Sequence, residues 1–202
     1  MKIKFLTTTA LVVFSFYVCH AQDPAMPQPG NPASAQQTQP GTTTAAPDPA
    51  AMDRMFIRTA SEGGLAEVQF GQLAAQKGNT DAVKKFGQRM VDDHTKLNND
   101  MDAIAENMGA RTAKKLGRKE QAEYDKLNGL SGAAFDNEYI TMMVMDHRQD
   151  LQAFQHEFEV VSDPALKTAI EHTVRVIYRH LQMIEQIAKD QNVSVPAPPS
   201  AK

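Results

Sequence analysis

The chain has 202 residues, a formal net charge of −3 and one cysteine. This length suits one domain with tails, and 42% hydrophobic residues are enough for a packed core. The negative net charge argues against a nucleic-acid-binding protein, because such domains usually carry a basic patch. A single cysteine excludes an internal disulfide framework and a zinc site built from cysteine pairs.

Residues 1–21 have the pattern of a secretory signal peptide. Lys2 and Lys4 precede an apolar run over 5–19, and Ala21 supplies the small residue preferred at a cleavage site. The run is shorter than the roughly 20 residues that span a bilayer, so we expect no transmembrane helix in the mature chain. Lipid attachment at Cys19 is the alternative, although bulky residues precede this cysteine. Both interpretations predict export, with the periplasm as the expected location.

Residues 22–51 are predicted to be a disordered spacer. Seven of the eleven prolines lie here, among Ala, Gln, Thr and Ser, with no aromatic residue. Such a segment buries too little apolar surface to offset the entropy lost on ordering. It holds the domain away from a membrane or wall, or it is a leader without a selected role. We expect the proline-containing tail, 193–202, to be disordered as well.

Residues 52–192 are predicted to form helices. This region has one proline, and its apolar residues recur at spacings of three and four. The predicted helices cover 53–77, 79–109, 131–160 and 163–192. Gly78 and Gly109 are suitable C-terminal residues, and Asp163-Pro164 provides an N-cap followed by proline at the first helical position.

The lengths of the connections predict how these helices are arranged. The short links within the first pair and within the last pair force antiparallel neighbours. The link over 110–130 is longer and contains a short helical piece at 118–127, so it can run from one end of the helices to the other. These features predict an all-α fold, a ferritin-like antiparallel four-helix bundle with a long crossover between helices two and three.

The apolar stripe of each predicted long helix contains one metal-capable polar residue: Glu67, His94, His147 and His180. They lie at similar distances from the helix ends, so antiparallel packing brings them within about one turn, roughly 5 Å, of the same level. Imidazole and carboxylate ligands suit Fe, Zn or Cu. We therefore predict one transition-metal ion at mid-bundle. Three further metal-capable residues lie off the stripes and are assigned to the surface: His156, Glu171 and His172.

Two alternatives concern the neighbours of these residues. Asp93 and Asp146 precede two of the histidines and serve either the surface or the support of a ligand. Met90, Met143 and Met183 share helix faces with three histidines; they are either core packing or thioether ligands for copper(I). The four polar residues themselves have an alternative to metal binding: they form a metal-free cluster that hydrogen-bonds internally and sets helix register.

Several motifs resemble domain-of-unknown-function family 4142, exported bacterial proteins assigned to the ferritin-like superfamily. The resemblance covers about residues 52–190, and its motifs include the runs 53–67 and 90–96, His147 and His180-Leu. A further run, Ser131-Gly-Ala-Ala-Phe135-Asp136-Asn-Glu-Tyr139, belongs to the same pattern. The resemblance implies a ferritin-like bundle in the cell envelope, and it implies no established activity.

The chain departs from the di-iron pattern of that superfamily. Di-iron bundles carry Glu-x-x-His on two helices, whereas Val91 and Ile177 stand three residues before His94 and His180. One carboxylate and three histidines favour a mononuclear site over ferroxidase chemistry.

Three functions are compatible with these features. They are a binding module for one metal ion, an oxidation or peroxide enzyme using that metal, and a metal-free structural or stress-related envelope protein. The sequence shows no nucleophile–base set and no phosphate loop, so we expect a protein that is not an enzyme. Homo-oligomer formation and the envelope partner are left open.

Overall fold

The computed structural model describes residues 48–197, in which five helices and no strand occur. The helices are α1 (Pro49–Lys77), α2 (Asp81–Met108), α3 (Arg118–Asn128), α4 (Gly132–Val160) and α5 (Pro164–Asp190). The predicted all-α class is confirmed. The predicted signal peptide, the predicted spacer up to residue 47 and the tail over 198–202 lie outside the described residues.

Helix α1 begins four residues before the predicted start at Asp53. The side chain of Asp48 accepts a hydrogen bond from the backbone N of Ala50 at 3.1 Å, and Pro49 takes the first helical position. Asp163 and Pro164 begin α5 in the same way. The Asp-Pro signal is therefore present at both helices, and residues 49–51, predicted to belong to the spacer, are helical.

The four long helices pack as two hairpins. Helix α1 packs on α2 and α4 packs on α5, while α2 also contacts α5 and α1 contacts α4. Asp136, near the start of α4, accepts hydrogen bonds from the α1–α2 loop. Asp53, near the start of α1, accepts them from the α4–α5 loop. The segment from the end of α2 to the start of α4 therefore joins opposite ends of the two hairpins and includes α3.

Two apolar clusters fill the interior, one toward each end. The upper cluster, near the α1–α2 loop, includes Phe70, Phe86, Met90, Phe135 and Ile140. The lower cluster, near the α4–α5 loop, is formed by Ile57, Met101, Ala105, Val161, Leu166 and Ile170. The three histidines predicted to face inward lie between these clusters along their helices, and Glu67 lies at the edge of the upper cluster, next to Ala66. All four polar residues are buried.

Helices α1 and α2 are in close contact where two glycines, Gly71 and Gly87, face each other. A Cβ at Gly87 would lie 2.7 Å from the carbonyl oxygen of Gly71 and 2.7 Å from the backbone N of Ala75. No rotamer change relieves a collision with backbone atoms. The absence of a side chain at Gly87 therefore sets the separation of the first hairpin.

Residues 193–197 differ from the expected disorder of the tail. They form no helix, but Val193 and Val195 pack against the upper cluster. Arg148 donates a hydrogen bond to the carbonyl oxygen of Pro196 at 3.1 Å. The alternating valines thus extend the apolar cover of the upper cluster beyond the end of α5.

Candidate metal centre

Three histidines from three helices meet in the interior. His94 of α2, His147 of α4 and His180 of α5 each offer one ring nitrogen, and these nitrogens all lie within 4.8 Å of one another. The ring centroids are 5.3 to 6.1 Å apart. None of the three side chains is more than 5% exposed. Packing of the hairpins therefore brings together the histidines of three predicted stripes.

Hydrogen bonds determine which nitrogen of two rings carries the proton. Nδ1 of His147 lies 2.9 Å from the carbonyl oxygen of Met143, and a carbonyl only accepts, so Nδ1 donates. Nε2 of His180 lies 2.8 Å from Oδ2 of Asp93 and donates to that carboxylate. The other nitrogens of these neutral rings, Nε2 of His147 and Nδ1 of His180, therefore keep their lone pairs.

These lone pairs have no hydrogen-bond partner. Nε2 of His94, Nε2 of His147 and Nδ1 of His180 are fully buried, and none makes a hydrogen bond in the described structure. Buried polar atoms are rarely left unsatisfied, because each costs about 1–3 kcal/mol. Two of these nitrogens are acceptors by the hydrogen bonds above, and Nε2 of His94 is a third when the proton of that neutral ring is on Nδ1, so the three can form a donor set for a cation.

Burial keeps the histidines neutral. Desolvation lowers the pKa of His94 well below its ordinary value, and the charges of His147 and His180 lower it further. Desolvation lowers the pKa of His147 to about 3. The ring of Phe86 contributes to this apolar environment, with its centroid 6.3 Å from that of His147 and 6.2 Å from that of His180. Neutral imidazole is the form that binds metals.

Asp93 holds a histidine in place and is therefore more than a surface residue. Its carboxylate accepts hydrogen bonds from His180 and Arg89. Desolvation raises the pKa of Asp93, but these two hydrogen bonds outweigh it and leave the pKa below its ordinary value. A carboxylate that holds the far nitrogen of a histidine orients the ring and fixes its tautomer, as it does around many metal ions.

Glu67 of α1 is adjacent to the histidines but outside their compact set. Its Oε1 lies 3.8 Å from Nδ1 of His147, too far for a hydrogen bond. Its Oε2 is fully buried without a partner. Burial raises the pKa of this carboxyl well above its ordinary value, and the charges of Asp150 and Asp146 raise it further. The structure thus places Glu67 beside the cluster without direct hydrogen bonding to it.

Tyr139 is a neighbour that sequence reasoning assigned no role. Its phenol is completely buried without a hydrogen-bond partner. Burial, and then the charge of Glu67, raises the pKa of this phenol well above its ordinary value. Its position in the 131–139 motif could have drawn attention to it, but an aromatic residue on an apolar helix face is usually part of the hydrophobic core.

The remaining candidates are distributed between core and surface. Met90 and Met143 are completely buried in the upper cluster, whereas Met183 is 36% exposed. This arrangement matches core packing for the first two methionines. The three residues assigned to the surface are all exposed: His156, Glu171 and His172.

Two pockets flank Glu67. An apolar pocket with a volume of about 280 Å³ reaches Glu67 and His94 between aromatic and aliphatic side chains: Phe56, Leu97, Met101, Phe154 and Ile177. A second pocket, of about 170 Å³, lies between α1, α3 and α4. We call it the acidic pocket, because it is lined by six carboxylates and one lysine: Glu62, Glu67, Glu120, Glu123, Asp146, Asp150 and Lys119.

The carboxylates of the acidic pocket interact strongly. Burial, followed by the charge of Glu123, raises the pKa of Asp146 to about 7. Burial raises the pKa of Asp150 to about 6, although Lys119 opposes the shift. Of the two aspartates that precede histidines, Asp93 hydrogen-bonds a histidine. Asp146 lines the acidic pocket and makes no hydrogen bond to a histidine among the described residues.

The family model described as "Domain of unknown function (DUF4142)" matches residues 38–187. The chain belongs to this family. None of the curated proteins matches it. Among solved structures, this DUF4142 protein is similar to a protein from Streptomyces coelicolor that is provisionally described as a secreted DUF305 protein.

The structural similarity extends over most of the described helices. The two chains share 13% sequence identity with a TM-score of 0.63, covering 73% of this chain and 96% of the other. At this identity the similarity concerns the fold alone. Within residues 48–197 of the DUF4142 protein, no helix is long and apolar enough to cross a membrane.

Proposed function

We propose that this DUF4142 protein is an exported ferritin-like four-helix protein that binds one transition-metal ion, Fe, Zn or Cu. His94, His147 and His180 supply three nitrogen ligands, and Glu67 supplies a carboxylate. The proposal depends on one observation above all: each of three buried histidines has a ring nitrogen without a hydrogen-bond partner, and these histidines bring ring nitrogens within 4.8 Å of one another.

A bound metal ion accounts for the three buried ring nitrogens that make no hydrogen bond. Each unpartnered buried acceptor destabilises the fold, and a cation would satisfy all three at once. The hydrogen bonds of His147 and His180 already orient two rings with their lone pairs free. A preoriented set loses less conformational entropy on binding, which favours affinity.

The composition of the site supports one ion rather than two. In the described part of the chain, the compact metal-capable set contains three histidines and no pair of bridging carboxylates. Val91 and Ile177 occupy the positions where a di-iron bundle carries glutamates. The function is therefore metal storage, buffering or delivery rather than di-iron oxidation.

Fold and location enter the proposal through separate observations. The two antiparallel hairpins and the connection between their opposite ends are typical of ferritin-like bundles. Export follows from the signal-peptide pattern of residues 1–21, and the periplasm is the compartment that we propose.

Metal content is the direct test. The full chain, exported to a bacterial periplasm and purified, is expected to contain or take up one equivalent of Fe, Zn or Cu by elemental analysis. A His94→Ala, His147→Ala double variant should lose it. The matched control is His156→Ala, His172→Ala, which removes two exposed histidines and should retain the metal. A folded wild-type protein that takes up none of the three metals would overturn the proposal.

A metal-free role in setting helix register is the second candidate, favoured by the hydrogen bond between His180 and Asp93. Unfolding of His94→Leu distinguishes the two functions. Nε2 of His94 is buried without a partner, so a metal site predicts that, in chelator, leucine raises the free energy of unfolding by about 1–2 kcal/mol. A register role predicts that added metal leaves the free energy of unfolding of the wild-type protein unchanged, whereas a metal site predicts that metal raises it and that His94→Leu removes the increase. Urea titration measures the difference, and an exposed His172→Leu change should leave stability nearly unaltered.

A further inference from the structure

We propose that the acidic pocket is an outer binding site for a hydrated divalent cation and the path by which that cation reaches the histidines. This inference rests on the proposed metal function. Helices α1, α3 and α4 form the pocket, and the crossover segment contributes α3 to it. The outer site and the histidines share one residue, Glu67, which lines the pocket and lies beside His147.

The charge of the pocket favours a cation. Six carboxylates line it, while Lys119 is its one basic residue. Lys119 forms an ion pair with Glu123 at 3.5 Å, and no other acid of the pocket has an ion pair with Lys or Arg among the described residues. Clefts lined by charges of one sign concentrate ions of the opposite sign and increase association rates by about 10- to 1,000-fold.

Two carboxylates of the pocket converge beside Gly117. Oε1 of Glu62, on α1, and Oε2 of Glu120, on α3, both occupy the space that a Cβ at Gly117 would need. Two carboxylate charges brought this close to the same point repel each other, and a nearby cation relieves the repulsion. The glycine that precedes α3 thus allows two acidic side chains to approach from different elements.

A buried polar group marks the inner end of the pocket. Glu67 is 4% exposed and its Oε2 has no hydrogen-bond partner. An unpartnered carboxylate oxygen is a ligand for a cation arriving from the acidic side. The carboxylates do not themselves form a compact ligand cage in the described structure, so the outer site holds the ion through its water shell.

The apolar pocket attracts the same ion less strongly. Three carboxylates line it, Glu67, Asp150 and Glu157, against six in the acidic pocket, and the apolar side chains between them solvate a charge poorly. The two pockets therefore predict different effects when their linings are changed, which makes the entry path testable.

Rates of metal loading test the outer site. Co²⁺ is mixed with the purified full-length metal-free protein in a stopped-flow instrument, and its visible absorption reports arrival at the histidines. The Glu62→Gln, Glu120→Gln variant is expected to load about three- to tenfold more slowly at ~10 mM ionic strength, with one Co²⁺ still bound at the end point. Lys119→Gln should load faster. High salt, about 0.5 M, should remove most of both differences.

Matched controls separate the pocket from net charge and from the other route. Glu106→Gln, Glu159→Gln changes net charge equally at two exposed residues that do not line the pocket and should load at the wild-type rate. Ala153→Phe, at the exposed edge of the apolar pocket, should also leave the rate unchanged.

Each other outcome overturns the proposal in a recognisable way. Equal rates for all variants, or slowing by both charge pairs, would remove the outer site and leave the histidine site intact. Slowing by Ala153→Phe alone would assign entry to the apolar pocket. Absence of Co²⁺ binding by the wild-type protein would overturn this proposal together with the metal function.

Discussion

Asp136→Ala is expected to lower the free energy of unfolding by about 3 kcal/mol, because hydrogen bonds from protein donors to a charged acceptor contribute about 1.5–3 kcal/mol each and are not additive. Asp136 is 1% exposed and accepts from the backbone N of Asn79 at 2.7 Å and from the backbone N and hydroxyl of Thr80 at 2.9 Å each. These bonds attach the start of α4 to the cap of α2. Their loss leaves several donors of a tight loop without their acceptor.

Urea unfolding of wild type and variant measures this loss. Asp136→Asn keeps one acceptor oxygen and should lose less, while Asp125→Ala, at an exposed position of α3, should change stability by less than about 0.5 kcal/mol. A loss at Asp136→Ala no larger than that at Asp125→Ala would contradict the structural role. At the opposite end, Asp53 makes equivalent bonds to Ser162 and Asp163.

Gly87→Ala is expected to destabilise the fold by about 3 kcal/mol, the upper part of the range for overpacking. The added Cβ would lie 2.7 Å from Ala74 Cβ, from the N of Ala75 and from the O of Gly71. These atoms belong to the backbone or to the first side-chain carbon of α1, so α1 and α2 must separate. Separation also moves Glu67 of α1 relative to His94 of α2, so metal affinity should fall together with stability.

Gly63→Ala is the matched control for Gly87→Ala. A Cβ at Gly63 meets nothing within 4 Å, so the higher helix propensity of alanine should raise the free energy of unfolding by about 0.5–1 kcal/mol. Thermal and urea unfolding give both values. The same sign for the two substitutions would show that the close approach of the hairpin does not limit stability.

The predicted site differs from the observed one in a way that matters for mechanism. The stripe pattern selected Glu67, His94, His147 and His180, one from each long helix. The structure brings the three imidazoles into one compact set and leaves Glu67 beside them, 3.8 Å from the nearest histidine nitrogen. Glu67 contacts both pockets, so it belongs to the access route as well as to the proposed ligand set.

Helix positions and inward faces were determined by the sequence alone, because the helical period and the capping residues act within a few residues of one another. Gly109 in the left-handed conformation ends α2, and Asp163 caps α5, as their residue types predict. The early start of α1 at Pro49 followed the same Asp-Pro signal, which the prediction applied to one helix and overlooked at the other.

The contacts between helices were decided by tertiary structure. Only packing brings Asp93 of α2 to His180 of α5 and gathers three histidines whose buried ring nitrogens include three without a hydrogen-bond partner. Only the crossover brings Glu120 of α3 opposite Glu62 of α1. The sequence determines which side chains face inward, since that depends on local geometry. Distances between side chains depend on how closely and in what register the helices pack, and those are properties of the whole fold.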